Sequence, residues 1–423
     1  MKKYFTIIIL LALIANFSYS QFGDLLKRRA AEGAKQGAEA GAERTIDKGI
    51  DKLFSRKNKK SKAPVDNSVN ETDKEATGQK QTLPSLKTYS KYDFIAGEKI
   101  IVFDNFSQVA VGDFPDKWTT NASGEVMIVD QHEGKWLNIS KQGFFIPQAI
   151  KSLPANFTIE YDILFIPPAK YGGPNTAVVG FQIFNATTAK ALFDNGADRS
   201  YFELDPYMGN VNIAGYTKTG EKILSNEFQV SGIQRQHTFT YHVAVWRQQN
   251  RLRVYLNETK VIDAPSLLSP DIKYNSLRFN TSMNNDGSIW LVSAFKMATG
   301  LPDTRNKLLN EGRFSTTGIL FDVNSAAAKA SSYGALKDIA AVLKDNPELK
   351  VKIVGHTDSD GDNAANLELS RKRAATVKTI LRDEFAIEES RLQSDGEGEA
   401  NPAVPNTSEE NKAQNRRVEF IKL

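Results

Sequence analysis

The sequence has no cysteine and only four histidines in 423 residues. Without cysteine there is no disulfide framework, no thiolate metal site and no thiol nucleophile. A lipid anchor on an N-terminal cysteine is excluded as well. Four histidines leave little material for an imidazole cluster, and the sequence points to no metal and no cofactor. An excess of one charge is also missing. The 54 basic and 50 acidic side chains leave a net +4, too near balance to argue for nucleic acid. After the first twenty residues no apolar run approaches the ~18 residues of a membrane helix. What is present, 40% hydrophobic, 25% charged and 10% aromatic residues, describes a folded chain, and its length predicts two or three domains.

Residues 1–20 combine Lys2 and Lys3 with an apolar run from Tyr4 to Ala15 and end in Ser18-Tyr19-Ser20. This pattern predicts a secretory signal peptide cut before Gln21. Residues 21–54 are rich in alanine and glycine, with acid–base spacing that predicts an amphipathic helix. Gly33, Gly37 and Gly41 recur every four residues beside Ala30, Ala34, Ala38 and Ala42. Such a face suits a partner helix, or it belongs to a marginal, solvated helix. Residues 55–84 are polar and lysine-rich, with a cluster at Arg56, Lys57, Lys59, Lys60 and Lys62. They cannot bury a core and are expected to form a disordered basic linker.

From 85 to 300 aromatic and β-branched runs recur at short intervals, divided by turn signals such as Gly172-Gly173-Pro174 and Asn284-Asn285-Asp286-Gly287. Many short strands without helical periodicity predict an all-β jelly-roll sandwich. In Phe157-Thr158-Ile159-Glu160-Tyr161-Asp162-Ile163 the apolar residues alternate with polar ones, so one face is expected to meet the core and the other water. Trp136-Leu137-Asn138-Ile139, Asn156 to Asp162, and Arg253 to Asn257 leading into Val261-Ile262-Asp263 resemble concanavalin-like, laminin-G-like sandwiches. That resemblance implies a glycan or protein partner, sometimes with calcium, although no clustered Asp/Asn loop commits to calcium. A glycosidase would need two carboxylates across a cleft. Glu160 with Asp162, and Glu203 with Asp205, have a suitable spacing, but so does any solvated strand face. His132, His237 and His242 show no metal spacing.

A connector at 301–312 leads into residues 313–423, where the pattern turns mixed. Strands are predicted at Thr317–Val323, Leu349–Val354, Leu392–Ser394 and Arg417–Ile421, and helices at Ala326–Lys344 and Asn363–Phe385. Asn366 and Arg373 are seven apart and so share one helix face. That face can turn toward the loop carrying Asp358. A carboxylate and a guanidinium across a small gap can bind the ammonium and carboxylate of an amino-acid zwitterion. An internal Asp–Arg salt bridge locking loop to helix gives the same spacing.

Three segments carry a family pattern. They are Ile319 to Ala326, then Gly355-His356-Thr357-Asp358 with Asn366, Leu369-Ser370 and Arg373-Ala374, then Gly396 to Glu399 with Pro402, Asn406 and Asn415-Arg416-Arg417-Val418-Glu419. Residues 313–423 resemble the OmpA-like C-terminal domain, which binds peptidoglycan in the periplasm. The resemblance implies an α+β fold, a βαβαβ-type mixed sheet with helices on one face. It makes Asp358 and Arg373 the pair that binds diaminopimelate of the stem peptide, supported by Asn324, Asn366 and Arg416. Arg416 and Arg417, as neighbours on a strand, would face opposite ways, and a one-residue slip would exchange them. His356 is expected to pack near the strand end, with no nucleophile beside it. The family's usual membrane barrel is not evident in 85–300.

The expectation is therefore a non-enzymatic cell-envelope protein of a Gram-negative cell. It would lie in the periplasm on the cell wall, associated with the outer membrane through a partner. The alternative is a wall-targeted, polysaccharide-active enzyme with its active site in the sandwich. A third reading is an assembly part that pairs through the 21–54 helix.

Overall fold

The computed structural model describes residues 92–150, 152–173, 176–300 and 303–423. The expected signal peptide, the 21–54 helix and the 55–84 linker lie outside the described residues.

Two antiparallel sheets occupy the region up to Thr299. The first runs Thr259–Ala264, Arg251–Leu256, Phe239–Gln248, Asn156–Ile166, Ile289–Thr299, His132–Asn138 and Val126–Val129, with Lys99–Asp104 also paired to Ile289–Thr299. The second runs Lys222–Gln229, Asn210–Tyr216, Arg199–Asp205, Val179–Phe184, Ser276–Thr281, Gly143–Pro147 and Trp118–Thr120. Alternate residues of both sheets bury into one shared core, as the two-residue side-chain period requires. Aromatic rings meet across it. Tyr161 lies edge-on to Phe279 at 4.9 Å, and Trp118 to Phe295 at 5.5 Å. Trp118–Thr120 escaped the sequence reading because it is short, and Lys222–Gln229 because it is a mostly polar edge strand; Gly143–Pro147 and Asn210–Tyr216 were missed as well.

One sequence expectation fails here. The polar face of Asn156–Ile166 meets water only in part, since Thr158 is 2% and Glu160 3% exposed while the Asp162 side chain keeps 33%. The 92–97 segment covers Thr158, whose hydroxyl accepts from the Gly97 amide at 2.9 Å, and the C-terminal region packs beside it. On one side Tyr92, Phe94, Ala96, Trp246 and Tyr255 form an apolar cluster against which Tyr333 packs. On the other, Ile100 and Ala298 meet Ala413. The Ile100 amide donates to Gln414 Oε1 at 2.9 Å, and the Gln414 amide donates to the Glu98 carbonyl at 3.0 Å.

The C-terminal sheet has the order Arg313–Thr316, Val418–Lys422, Val351–His356, Leu392–Gly398. Val351–His356 and Leu392–Gly398 are parallel, joined through the helix Asn363–Asp383 as a parallel crossover requires. The helices Tyr333–Asp345 and Asn363–Asp383 share one core with this sheet. The edge strand is Arg313–Thr316, not the predicted Thr317–Val323. In that stretch only Phe321 bridges, to Ala328, because residues 320–329 fold back on themselves, with the Lys329 amide on the Leu320 carbonyl. The helix expected from Ala326 starts at Tyr333 for the same reason.

Candidate functional site

Val351–His356 ends beside the first turn of Asn363–Asp383, and the loop between them carries Asp358. Gly361, at φ 99°, makes the tight turn. Asp362 then caps the helix, its carboxylate accepting from the Ala365 amide at 2.9 Å. Gly396 lets helix and sheet touch, since a Cβ there would lie 2.3 Å from the Arg371 nitrogen and from Ser370 Oγ.

Asp358 is buried. One carboxylate oxygen accepts from the Asp360 amide at 3.1 Å. The other accepts from Arg416 Nη1. Asn366 holds the loop in shape. Its side-chain amide donates to the Asp360 carbonyl at 3.1 Å, the Asp358 carbonyl at 3.4 Å and Glu399 Oε2 at 2.7 Å. Two turns on, Arg373 lies over the Phe321 ring at 5.0 Å, with Nε on the Ser325 carbonyl at 3.0 Å and Nη2 near the Asp322 carbonyl at 3.4 Å. Burial, with the like charge of Arg416 beside it, pulls Arg373 below its ordinary value, and Asp358 pulls the other way. Asn324 stands exposed in the same 320–329 loop at φ 51°.

The five expected residues therefore do not play equal parts. Asp358 is paired with Arg416, while Arg373 is held by carbonyls and a ring. Arg416 and Arg417 are not two members of a strand, because the strand begins at Val418. Arg416 turns to Asp358. Arg417 turns to Glu419 Oε1 at 3.1 Å and the Asn401 carbonyl at 3.0 Å. A pocket of about 110 Å³ opens among Phe321, His356, Arg373, Arg416 and Arg417. Three guanidiniums around so small a space suit a carboxylate, and Asp358 beside them suits an ammonium. His356 is buried without a hydrogen bond on either ring nitrogen. Burial first, then Arg417, lowers its pKa and favours the neutral ring.

Phe321 and Glu399 lay within the motif segments but carried no assigned role; the contacts with Arg373 and Asn366 give them one. No sequence signal pointed to Phe103. It belongs to the Lys99–Asp104 strand, and its ring lies 5.3 Å from the Arg416 guanidinium.

A second concentration of charge lies on the covered face of the first sheet. Glu160 Oε1 is 2.8 Å from Lys296 Nζ, and His242 Nδ1 is 2.7 Å from Asp162 Oδ1. Burial works to raise Glu160, but Lys296 and His242 outweigh it and hold the carboxyl at about 2. Burial disfavours the His242 cation, yet Asp162 and Glu160 push it up to about 9. A cleft of about 400 Å³ separates these groups from Phe321, Asp322 and Lys329. The register shift between Ser293 and Lys296, with Ala294 at φ 50°, marks a β-bulge beside Lys296.

Comparison with known proteins locates the family signal in this C-terminal region. Residues 320–416 match the OmpA family. Over 125 residues the chain is 39% identical to the probable lipoprotein YiaD of Escherichia coli K12, covering 29% of this chain and 55% of that protein. It is 33% identical over 103 residues to the peptidoglycan-binding protein ArfA of Mycobacterium bovis, covering 24% of this chain and 31% of that protein. The crystal structure of the peptidoglycan-associated lipoprotein from Burkholderia pseudomallei is 28% identical, with TM-score 0.24, covering 26% of this chain and 89% of that one. The matched stretch thus spans about half of the first relative. Residues 320–416 of this chain are an OmpA family domain.

Proposed function

We propose that this chain is a non-enzymatic cell-envelope protein that grips peptidoglycan without a covalent bond. Its C-terminal domain, taken as 313–423, binds the diaminopimelate end of a stem peptide. Asp358 receives the ammonium and Arg373 forks the carboxylate, while Asn366 shapes the loop and Asn324 and Arg416 line the approach. The observation that carries this reading is the small pocket walled by Arg373, Arg416 and Arg417 beside the Asp358 carboxylate. The relative named a peptidoglycan-binding protein supports it.

In this reading residues 1–20 direct export, 21–54 form a helix for a partner, and 55–84 are a tether. The all-β region, 85–300, is a concanavalin-like jelly roll that takes a glycan or an envelope protein. Residues 301–312 connect the two domains. The protein lies in the periplasm on the wall, held near the outer membrane by that partner. A general-acid role for Glu160 is disfavoured by its chemistry. A carboxyl held at about 2 carries no proton to donate near neutrality.

The test is co-sedimentation of the full chain with diaminopimelate-type peptidoglycan. Asp358→Ala and Arg373→Ala are each expected to stay folded and remain in the supernatant. Undiminished pelleting of both variants would sink the assignment.

A further inference from the structure

The outer face of the second sheet carries a cavity of about 440 Å³ that the wall-binding site does not use. Strand register builds it. Phe144, Asn280, Gly180 and Glu203 lie in one row across four strands, since Phe144 pairs with Asn280, Asn280 with Gly180, and Gly180 with Glu203. Gly180 supplies no side chain to fill the row. A Cβ there would fall 2.3 Å from Asn280 Oδ1.

The lining is chemically narrow. Asn121, Gln142, Asn195 and Asn280 bring four side-chain amides, Phe144 brings one ring, and no ionised side chain takes part. Each amide both donates and accepts. Asn280 is already committed: its Oδ1 is buried over Gly180, out of reach of the cavity, and its side chain hydrogen-bonds Glu203, so Asn121, Gln142 and Asn195 are the amides left to meet a ligand.

The site is also braced from behind. Arg278 is 0% exposed, and its guanidinium lies 3.8 Å from the centre of the Phe144 ring. Gln182 Oε1 at 2.8 Å and the Asp194 carbonyl at 3.0 Å accept from it, and so does Asn195 Oδ1 at 3.3 Å. One buried cation therefore fixes both the ring and the loop that carries Asn195. A rigid aromatic face set among neutral amides fits a ligand with an apolar C–H face and a rim of hydroxyl and amide groups. A charged ligand would find no counter-charge in the lining.

From this we infer that the cavity binds a neutral oligosaccharide bearing acetamido groups. Its sugar ring lies on Phe144, and its hydroxyl and acetamido groups bond to Asn121, Gln142 and Asn195. The inference rests on the reading that the all-β region takes a glycan, and it names the site and the ligand class.

Isothermal titration of the full chain with chitotetraose tests it. The wild-type chain is expected to bind. Phe144→Ala and Asn195→Ala are each expected to weaken binding at least tenfold. Asn195 lies on an exposed loop, so its variant guards against a folding defect at Phe144. Asp358→Ala should bind chitotetraose like the wild type while losing affinity for a free, sugar-less diaminopimelate stem peptide, which separates this site from the wall grip. No heat with the wild-type chain, or unchanged affinity in both cavity variants, overturns the inference and leaves the C-terminal reading standing. Loss of chitotetraose binding in Asp358→Ala also overturns it, because the saccharide would then belong to the C-terminal domain.

Discussion

Arg416 donates to the Asp358 carboxylate from 58 residues away along the chain. A ligand ammonium arriving at Asp358 therefore meets an acceptor that already has a cationic partner. It must share the carboxylate or displace Arg416, whose guanidinium is in turn held against Phe103. Arg373 has no such carboxylate partner among the described residues; its Nε and Nη2 each donate to a loop carbonyl, which leaves Nη1 and the second Nη2 hydrogen for a ligand carboxylate.

That difference predicts how the arginines respond to conservative change. Arg373→Lys keeps the charge but loses the planar fork. Binding to diaminopimelate-type peptidoglycan should weaken about tenfold, or about 1.4 kcal/mol, with less loss than in Arg373→Ala. Equal affinity of the lysine variant and the wild type in a pelleting titration would mean that a point charge is enough there.

Asn366 touches no ligand atom in this scheme. It donates to two loop carbonyls and to Glu399. Asn366→Ala leaves those acceptors without their donor, at a cost of about 1–3 kcal/mol. The expected result is a lower urea midpoint together with faster hydrogen exchange at the Asp360 amide. Exchange at that amide as slow as in the wild type would show that the loop keeps its shape without the clamp.

Glu160 and Lys296 form a buried ion pair, 3% and 8% exposed. Removing one partner strands a charge, so Glu160→Gln should destabilise by about 3–5 kcal/mol. Replacing both partners with apolar residues, as in Glu160→Leu with Lys296→Met, should cost far less. Chemical denaturation of the three chains checks this. A double variant weaker than the single would show that the pair is held by more than its own charges.

His242 gives the pH dependence a sign. Its folded value is raised from an ordinary 6.5 to about 9, so the folded state binds the proton more tightly. The stability from this contact is complete below about 6.5 and is lost as pH rises through about 9. Glu160, lowered from 4.5 to about 2, acts in the opposite sense: its contribution is present above about 4.5 and fades as pH falls toward 2. Urea midpoints measured from pH 6.5 to 9.5 should fall in the wild type and fall less in His242→Gln. Parallel slopes for the two chains would remove His242 as the cause.

Much of the C-terminal domain was legible along the chain. The helix Asn363–Asp383 announces itself by spacing, and the motif segments around Asp358, Arg373 and Arg416 lie within the family match. The 320–329 turn was not legible. Its apolar residues read as a strand, and the pairing of Phe321 with Ala328 and of Lys329 with Leu320 shows the chain folding back. In the all-β region, strands with strong alternation could be read, whereas Trp118–Thr120 is too short to display a period.

Local order and periodicity determined most of the strands and helices, and the residue types and spacing of Asp358, Asn366 and Arg373 determined what chemistry the site can offer. Pairing across the chain was decided only by tertiary structure. It gave Asp358 to Arg416, set Phe103 under that guanidinium, and buried Glu160 of the Asn156–Ile166 polar face against Lys296. The reason is physical. Side-chain period is a local property of the backbone, but solvent exposure and ion pairing depend on which distant surface covers a face, and a sequence read in order carries no record of that contact.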